Sequence, residues 1–265
     1  MIKDLITPLM EDLVVAAPPQ RLVNSSYGYF SIRDISRRVL NSEFTLLLGK
    51  DPLSVLLGFA ANMSVLWEHA SLLVALRSDP SELAIKLLGS IAGVDISTRG
   101  VSPESWPSVN EAAADLWRGP LYVYHPSSMD IQGLDRLVKR VRSRGVIDLF
   151  VDSPCDLRLN ARKASTPADF PEVCQALCGI ARNHGGAVLA AHPSTLKLAD
   201  AALLADSVVR FEDFGDSARV GWLRRGETRP SFQLARCSST GRYNDVIKMP
   251  WDSTTGRRFH VARST

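Results

Sequence analysis

Phe44-Thr-Leu-Leu-Leu-Gly49-Lys50-Asp51-Pro52-Leu53-Ser54-Val-Leu-Leu-Gly58 is the stretch on which the fold class turns. Phe44 to Leu48 is a compact apolar run that stops at a glycine, the pattern of a strand buried on both faces. Leu53 to Trp67 follows as an apolar helix, so the segment predicts strand, turn, helix.

The same alternation continues outward. Leu72 to Leu76 reads as a strand and Ser81 to Ala92 as a helix capped by Asp79 or Ser81. Leu121 to Tyr124 is the next strand, Ile131 to Arg144 a helix with an exposed basic side, and Val146 to Val151 a strand ending in Asp152. Phe170 to His184 is a helix, Ala187 to Ala191 a strand ending in His192, and Ala205 to Phe211 another strand. Such alternation implies right-handed crossovers and a mostly parallel sheet covered on both faces, an α/β fold of three layers. Four short segments close the chain: Arg219 to Leu223, Phe232 to Ala235, Val246 to Met249 and Arg257 to Val261. They predict an antiparallel C-terminal edge. At the other end, Ile2, Leu5, Ile6, Leu9, Leu13 and Val14 recur at helical spacing before Ala16-Ala-Pro-Pro19, which predicts an amphipathic helix on a linker. Ile32, Ile35 and Val39 suggest a short second helix.

Composition bounds the function. A chain of 265 residues with 45% hydrophobic and 22% charged residues is ordinary globular material, so collagen-like and disordered classes are excluded. A formal charge of +3 decides little about polyanion partners. Met1-Ile-Lys-Asp-Leu-Ile-Thr-Pro8 lacks the basic and apolar regions of a secretory signal, and no apolar stretch reaches the roughly 20 residues of a membrane span. A cytoplasmic protein without membrane attachment is expected. Of the four cysteines, Cys155, Cys174, Cys178 and Cys237, two stand four apart on one helix face. No CxxC or HxxxH pair completes a zinc set, so they read as buried thiols and no metal site is expected.

In an open α/β sheet ligands bind beyond the carboxyl ends of the strands. After Leu48 the turn Gly49 to Ser54 lies where a phosphate-binding loop belongs, yet GxxxxGK[ST] is absent and Pro52 removes an N–H. Lys50 there reads as a solvated turn residue or a weak phosphate ligand. Asp152 reads either as a carboxylate that holds Mg²⁺ through water or as a cap on the turn before Ser153-Pro154. His192 reads as a ligand contact or as a hydrogen-bonded turn residue. Arg158, Arg162 and Lys163 form a basic loop, and Arg136, Lys139, Arg140, Arg142 and Arg144 crowd one helix. Both groups suit phosphates rather than base edges, though a solvated face explains the helix as well. There is no GxSxG, GxGxxG or HExxH motif.

Taken in order, these elements resemble the C-terminal RecA-like motor domain of DnaB-type replicative helicases, from about residue 27 to the end. The likeness is carried by Leu73-Val-Ala-Leu-Arg-Ser-Asp-Pro-Ser-Glu-Leu-Ala-Ile-Lys-Leu-Leu88 with Ile91-Ala-Gly-Val-Asp95, and by Gly119-Pro-Leu-Tyr-Val123. The Asp152 strand, Ala205-Asp-Ser-Val-Val209, Asp245-Val-Ile-Lys248 and Thr255-Gly256 add to it. It implies residues 1–26 as an amphipathic helix and linker and residues 27–265 as a RecA-like domain. It also implies that Leu5, Leu9 and Leu13 dock on a neighbouring subunit, and that the Arg158 to Lys163 loop faces DNA. The family's chemistry is altered at four places. Walker A Gly-Lys-Thr aligns with Pro52-Leu53-Ser54, the water-activating Glu of "SLEMS" with Arg77, and the Gln sensor with His192. The arginine finger falls where Pro250-Trp251 stand.

Altered together on a retained fold, these positions imply a pseudo-ATPase with no cofactor. Such a protein would act as adaptor or inhibitor by binding a replication protein such as a replicative helicase, a copy of itself, or single-stranded DNA through the basic loops. The alternatives are a divergent ATP- and Mg²⁺-dependent helicase using Lys50, Ser54 and Asp152, and a ring or filament subunit.

Overall fold

A strand buried in the middle of a parallel sheet needs apolar side chains on both faces. In the computed structural model, β1 (Phe44–Gly49) meets this demand: Phe44, Leu46 and Leu48 enter one core layer and Leu47 the other, all fully buried. The structure describes residues 42–66, 68–94, 96, 101–145, 148–160, 166–193, 196–213, 217–224, 227–236 and 243–245. The predicted helices over residues 2–15 and 32–39 lie outside them. So do Leu5, Leu9, Leu13, Arg162, Lys163 and the predicted strands at 246–249 and 257–261.

After β1 come α1 (Pro52–Ala61), β2 (Ser71–Val74), α2 (Pro80–Ala92), α3 (Trp106–Arg118) and β3 (Leu121–Tyr124). Next are the short β4 (Met129–Asp130), α4 (Ile131–Arg142), β5 (Asp148–Val151), the short β6 (Leu157–Arg158), α5 (Phe170–His184) and β7 (Val188–Pro193). The single turn α6 (Leu198–Ala201) precedes β8 (Ser207–Asp213), β9 (Ser217–Arg224), β10 (Glu227–Arg236) and β11 (Tyr243–Asp245). The main sheet runs β11-β10-β9-β8-β1-β7-β5-β2-β3. From β8 to β3 every pairing is parallel, and β9, β10 and β11 extend it antiparallel, the edge expected from the sequence. Pro230 sits in β10 where the register slips between Arg229 and Phe232, the kind of irregularity that tolerates a residue without an N–H.

Helices cover both faces. Val55, Phe59, Leu87, Val109 and Leu116 of α1, α2 and α3 pack on one side, against Leu47, Phe150 and Leu189. On the other, Leu134 and Val138 of α4 and Val173 and Leu177 of α5 pack against Leu46, Val74 and Val151. This is the three-layer α/β arrangement expected. Cys174 and Cys178 lie in that second layer, where burial pushes their thiols up to about 12 and about 11, so they are inert apolar filler. Among the described residues no cluster of His, Cys, Asp or Glu is placed to hold a metal ion. None of their helices is long and apolar enough to cross a membrane.

Two elements differ from the sequence expectation. The helix expected from Leu53 to Trp67 stops at Ala61 and widens into a π-helical turn over Asn62–Leu66. Ser64 Oγ donates there to the carbonyls of Ala60 and Ala61, at 2.8 and 3.3 Å, a back-bonding pattern that loosens a helix end. Helix α3 has no counterpart in the sequence reading. Its buried Val109, Ala112, Ala113 and Leu116 recur at helical spacing behind Pro107, but two of these four are alanines and give a weak apolar signal.

Candidate functional site

The carboxyl ends of β1, β5 and β7 adjoin one another and carry Lys50, Ser54, Asp152 and His192. Gly49 ends β1 at φ +149°, and a Cβ there would stand 2.7 Å from the Phe211 carbonyl oxygen, so the strand end is held tight against β8 by the lack of a side chain. Asp51 then caps α1. Its carboxylate accepts the Ser54 N–H at 3.2 Å and the Ser54 hydroxyl at 2.6 Å. A helix N-terminus binds anions because its first N–H groups are unpaired and its dipole is positive there. Here Pro52 contributes no N–H, the Ser54 N–H is taken, and the place of an anion is filled by the chain's own carboxylate. Lys50 is exposed beside it.

Asp152 is 6% exposed and accepts three backbone N–H groups of the turn after β2. Leu76 donates to Oδ1 at 2.7 Å, and Arg77 and Ser78 donate to Oδ2 at 3.2 and 2.8 Å. The capping role weighed for this residue is therefore present, directed at residues 76–78 of the neighbouring strand's turn rather than at Ser153-Pro154. Arg77, on that turn, points to Asp156, with Nε 3.1 Å from Oδ2. A guanidinium thus occupies the turn in which the resemblance expects a water-activating carboxylate.

His192 stacks on Phe170, ring centroids 4.4 Å apart, and its Nδ1 lies 3.5 Å from Cys155 Sγ. Burial, then the nearby Arg77 charge, lowers the imidazole pKa; burial, then Asp156, raises that of the thiol. A Cys–His nucleophile requires the opposite, a thiolate beside an imidazolium. Neutral thiol and neutral ring make this a packing contact.

The second feature joins groups that are far apart in sequence. A cleft of about 310 Å³ is lined by Tyr124, Ser128, Asp130, Arg136, Arg140 and Arg158 among others. Arg136 and Arg140 stand one turn apart on α4, and the β4 to β6 pairing, with Asp130 opposite Arg158, brings Arg158 to the same cleft. Asp130 caps α4 by accepting the Gly133 N–H at 2.5 Å. Lys139 is drawn aside by Asp135, 2.8 Å away. The loop and the helix, read from the sequence as two basic groups, thus share Arg136, Arg140 and Arg158 in one cleft. Tyr124 and the capping role of Asp51 were missed, although Asp-x-x-Ser ahead of an apolar run is a readable cap signal.

No family model matches the chain, and no curated protein matches it. Solved structures do. A DnaB-like replicative helicase, solved to describe the helicase and its interactions with primase, superposes with a TM-score of 0.69 at 12% identity over 92% of this chain. The chain has the fold of a DnaB-type, RecA-like helicase domain. It spans 66% of that helicase chain. A second solved structure, an ATPase domain, gives a TM-score of 0.68 at 13% identity, covering 93% of this chain and 99% of its own.

Proposed function

We propose that the chain is a catalytically inactive, helicase-derived RecA-fold protein. It acts by binding, as adaptor or inhibitor, to a replication or DNA-processing protein, to a copy of itself, or to nucleic acid in the cytoplasm. The observation that carries this reading is the self-occupied cleft. Asp51 fills the anion position at the start of α1, while Asp152 spends both carboxylate oxygens on the 76–78 turn. Phosphoryl transfer depends on a lysine and several N–H groups around the β and γ phosphates, on a carboxylate-held Mg²⁺ and on an oriented water. Arg77 adds positive charge where the water would be activated, and an arginine is no general base. Titration with ATP and Mg²⁺ in a calorimeter, with and without single-stranded DNA, tests the reading when phosphate release is followed on the same samples. No release is expected in any sample. DNA-stimulated release at helicase rates would overturn it.

The fold itself favours one rival, a divergent ATPase built on Lys50, Ser54 and Asp152. Lys50→Ala would then weaken nucleotide binding, whereas the inactive reading expects no change. A ring or filament subunit docking through Leu5, Leu9 and Leu13 is tested by removing residues 1–17, which would leave a monomer in light scattering.

A further inference from the structure

We infer that the outer edge of β3 pairs antiparallel with the same edge of a second copy of this chain, about a twofold axis at Tyr122, so that two sheets join into one. The inference deepens the binding reading above, which includes a copy of the chain among its partners, and rests on it.

The hydrogen bonds to β2 decide which groups of β3 remain open. Ser71 N–H donates to the Pro120 carbonyl and Ala75 N–H to the Tyr124 carbonyl, both at 2.9 Å, in a parallel register that sets Ser71 beside Leu121. The backbone groups of Tyr122 and Tyr124 therefore face β2, and those of Leu121 and Val123 face outward. β3 ends the main sheet, and among the described residues no backbone hydrogen bond engages Leu121 or Val123 on that side.

Open edges are ordinarily blunted by charge or proline. Towards the other end of the sheet β9 carries Arg219 and Arg224, and β10 carries Glu227, Arg229, Pro230 and Arg236. β3 reads Leu-Tyr-Val-Tyr, and no Asp, Glu, Lys or Arg occurs from Gly119 to Met129. Trp117 just ahead of β3 and Tyr124 at its end are 45% and 43% exposed, two of the three large hydrophobic residues so exposed among those described. Apolar surface gathered at one place marks contact with another protein.

Charge and register select the occupant. An acidic or basic strand finds no opposite charge on this edge, whereas a second β3 meets it without like-charge repulsion. In the twofold register Leu121 faces Val123 of the second copy, and each such pair exchanges two N–H···O bonds, so every outward backbone group of both strands is used. Tyr122 faces its own copy across the axis, and Tyr124 faces Pro120 of the second copy. The two Tyr124 residues, each beside an arginine-lined cleft, then stand four strand positions or about 13 Å apart, beyond the screening length of about 8 Å in physiological salt. Self-complementary twofold pairing is also the commonest way a chain binds itself.

The test is sedimentation velocity of the full chain without nucleotide or DNA, over a dilution series of about 1 to 100 μM, the range in which a small interface dissociates. A monomer–dimer equilibrium is expected. Val123→Pro removes an outward N–H and leaves the β2 bonds in place, and should weaken the dimer about tenfold or more. Tyr124→Lys, a charge at an exposed strand end, should weaken it to a similar degree, and decides the matter if Val123→Pro fails to fold. Leu203→Ala, at an exposed residue away from β3, should change nothing. Under mild oxidation Tyr122→Cys should give a covalent dimer, because facing residues of a pair without mutual hydrogen bonds bring their Cβ atoms within disulfide reach. Tyr124→Cys and the wild type should not.

A wild type that stays monomeric throughout the series overturns the inference. So does a dimer that survives both Val123→Pro and Tyr124→Lys, or a Tyr122→Cys variant that cross-links no better than the wild type. Loss of the dimer on removing residues 1–17 overturns it in favour of contact through the first helix, and dissociation by 1 M salt overturns it in favour of a charged interface. Because nucleotide is absent, each of these failures leaves the ATP-turnover result standing.

Discussion

The turn after β1 and the cleft beside β3 both lie at carboxyl ends of parallel strands, yet they spend their polar groups in opposite ways. At the first, the Asp51 carboxylate closes on Ser54, and nearby Asp152 closes on the Leu76, Arg77 and Ser78 amides. At the second, three arginines face a shared cavity with one committed carboxylate among them. Position on a fold therefore does not decide function; the disposition of donors and acceptors does. A site whose hydrogen bonds are internally satisfied is part of the stability of the molecule, and one with surplus charge is available to a ligand.

The largest expected effect breaks this contrast at Asp152. If its carboxylate is structural, Asp152→Ala leaves three backbone N–H groups unpaired in a largely buried turn and costs on the order of 3–5 kcal/mol. Asp152→Asn retains one acceptor and costs about half as much. Urea denaturation without metal measures both. Wild-type stability in Asp152→Ala would make Asp152 a ligand carboxylate and equate the two regions.

The amino ends of the strands supply a control that belongs to neither. Asp148, at the start of β5, is buried, accepts the Ala187 N–H and lies with Oδ2 3.4 Å from His69 Nδ1. Burial raises its pKa to about 6, with the His69 charge opposing. The folded value is above the unfolded one, so the native state binds the extra proton. The stability this gives is full below about pH 4 and lost as pH rises through about 6. Relative to Asp148→Asn, wild type should lose on the order of 2 kcal/mol across that window. A difference that grows with pH in the wild type's favour would show that the His69 pairing outweighs burial.

How far the sequence discloses each region follows from the range of the interactions. The β1, β3 and α5 segments were legible because Phe44 to Leu48, Leu121 to Tyr124 and Phe170 to His184 carry their burial pattern locally. The helix over Trp106–Arg118 was not, since two of its five buried residues are alanines and give little apolar signal. At the candidate sites, the cap formed by Asp51 lies within three residues of Ser54 and is readable. The clamp by Asp152 spans 76 positions to Leu76 and is set by the adjacency of β2 and β5. The convergence of Arg136 with Arg158 depends on a two-residue pairing between β4 and β6 that no periodicity announces.

Asp51 provides the next sharpening. Asp51→Ala removes the cap from α1 and should cost about 1 kcal/mol, seen as a lower urea midpoint. It also vacates the anion position without adding the N–H groups that Pro52 lacks. ATP binding should therefore stay absent; its appearance would mean that the carboxylate alone was excluding nucleotide.

The smallest stability change is expected at Arg77, and it separates charge from architecture. Arg77→Glu breaks an ion pair to Asp156 whose arginine is 66% exposed, so water already screens it and less than about 1 kcal/mol should be lost. The substitution returns a carboxylate to the turn where the helicase resemblance places its general base. If Arg77 were the single fault, phosphate release would appear in this variant. With α1 capped by Asp51 and the turn clamped by Asp152, the carboxylate would face no bound phosphate, because a base accelerates hydrolysis only when water and phosphorus are both held within its reach. Release is expected to remain at background in Arg77→Glu, and to remain there in the Asp51→Ala, Arg77→Glu double variant.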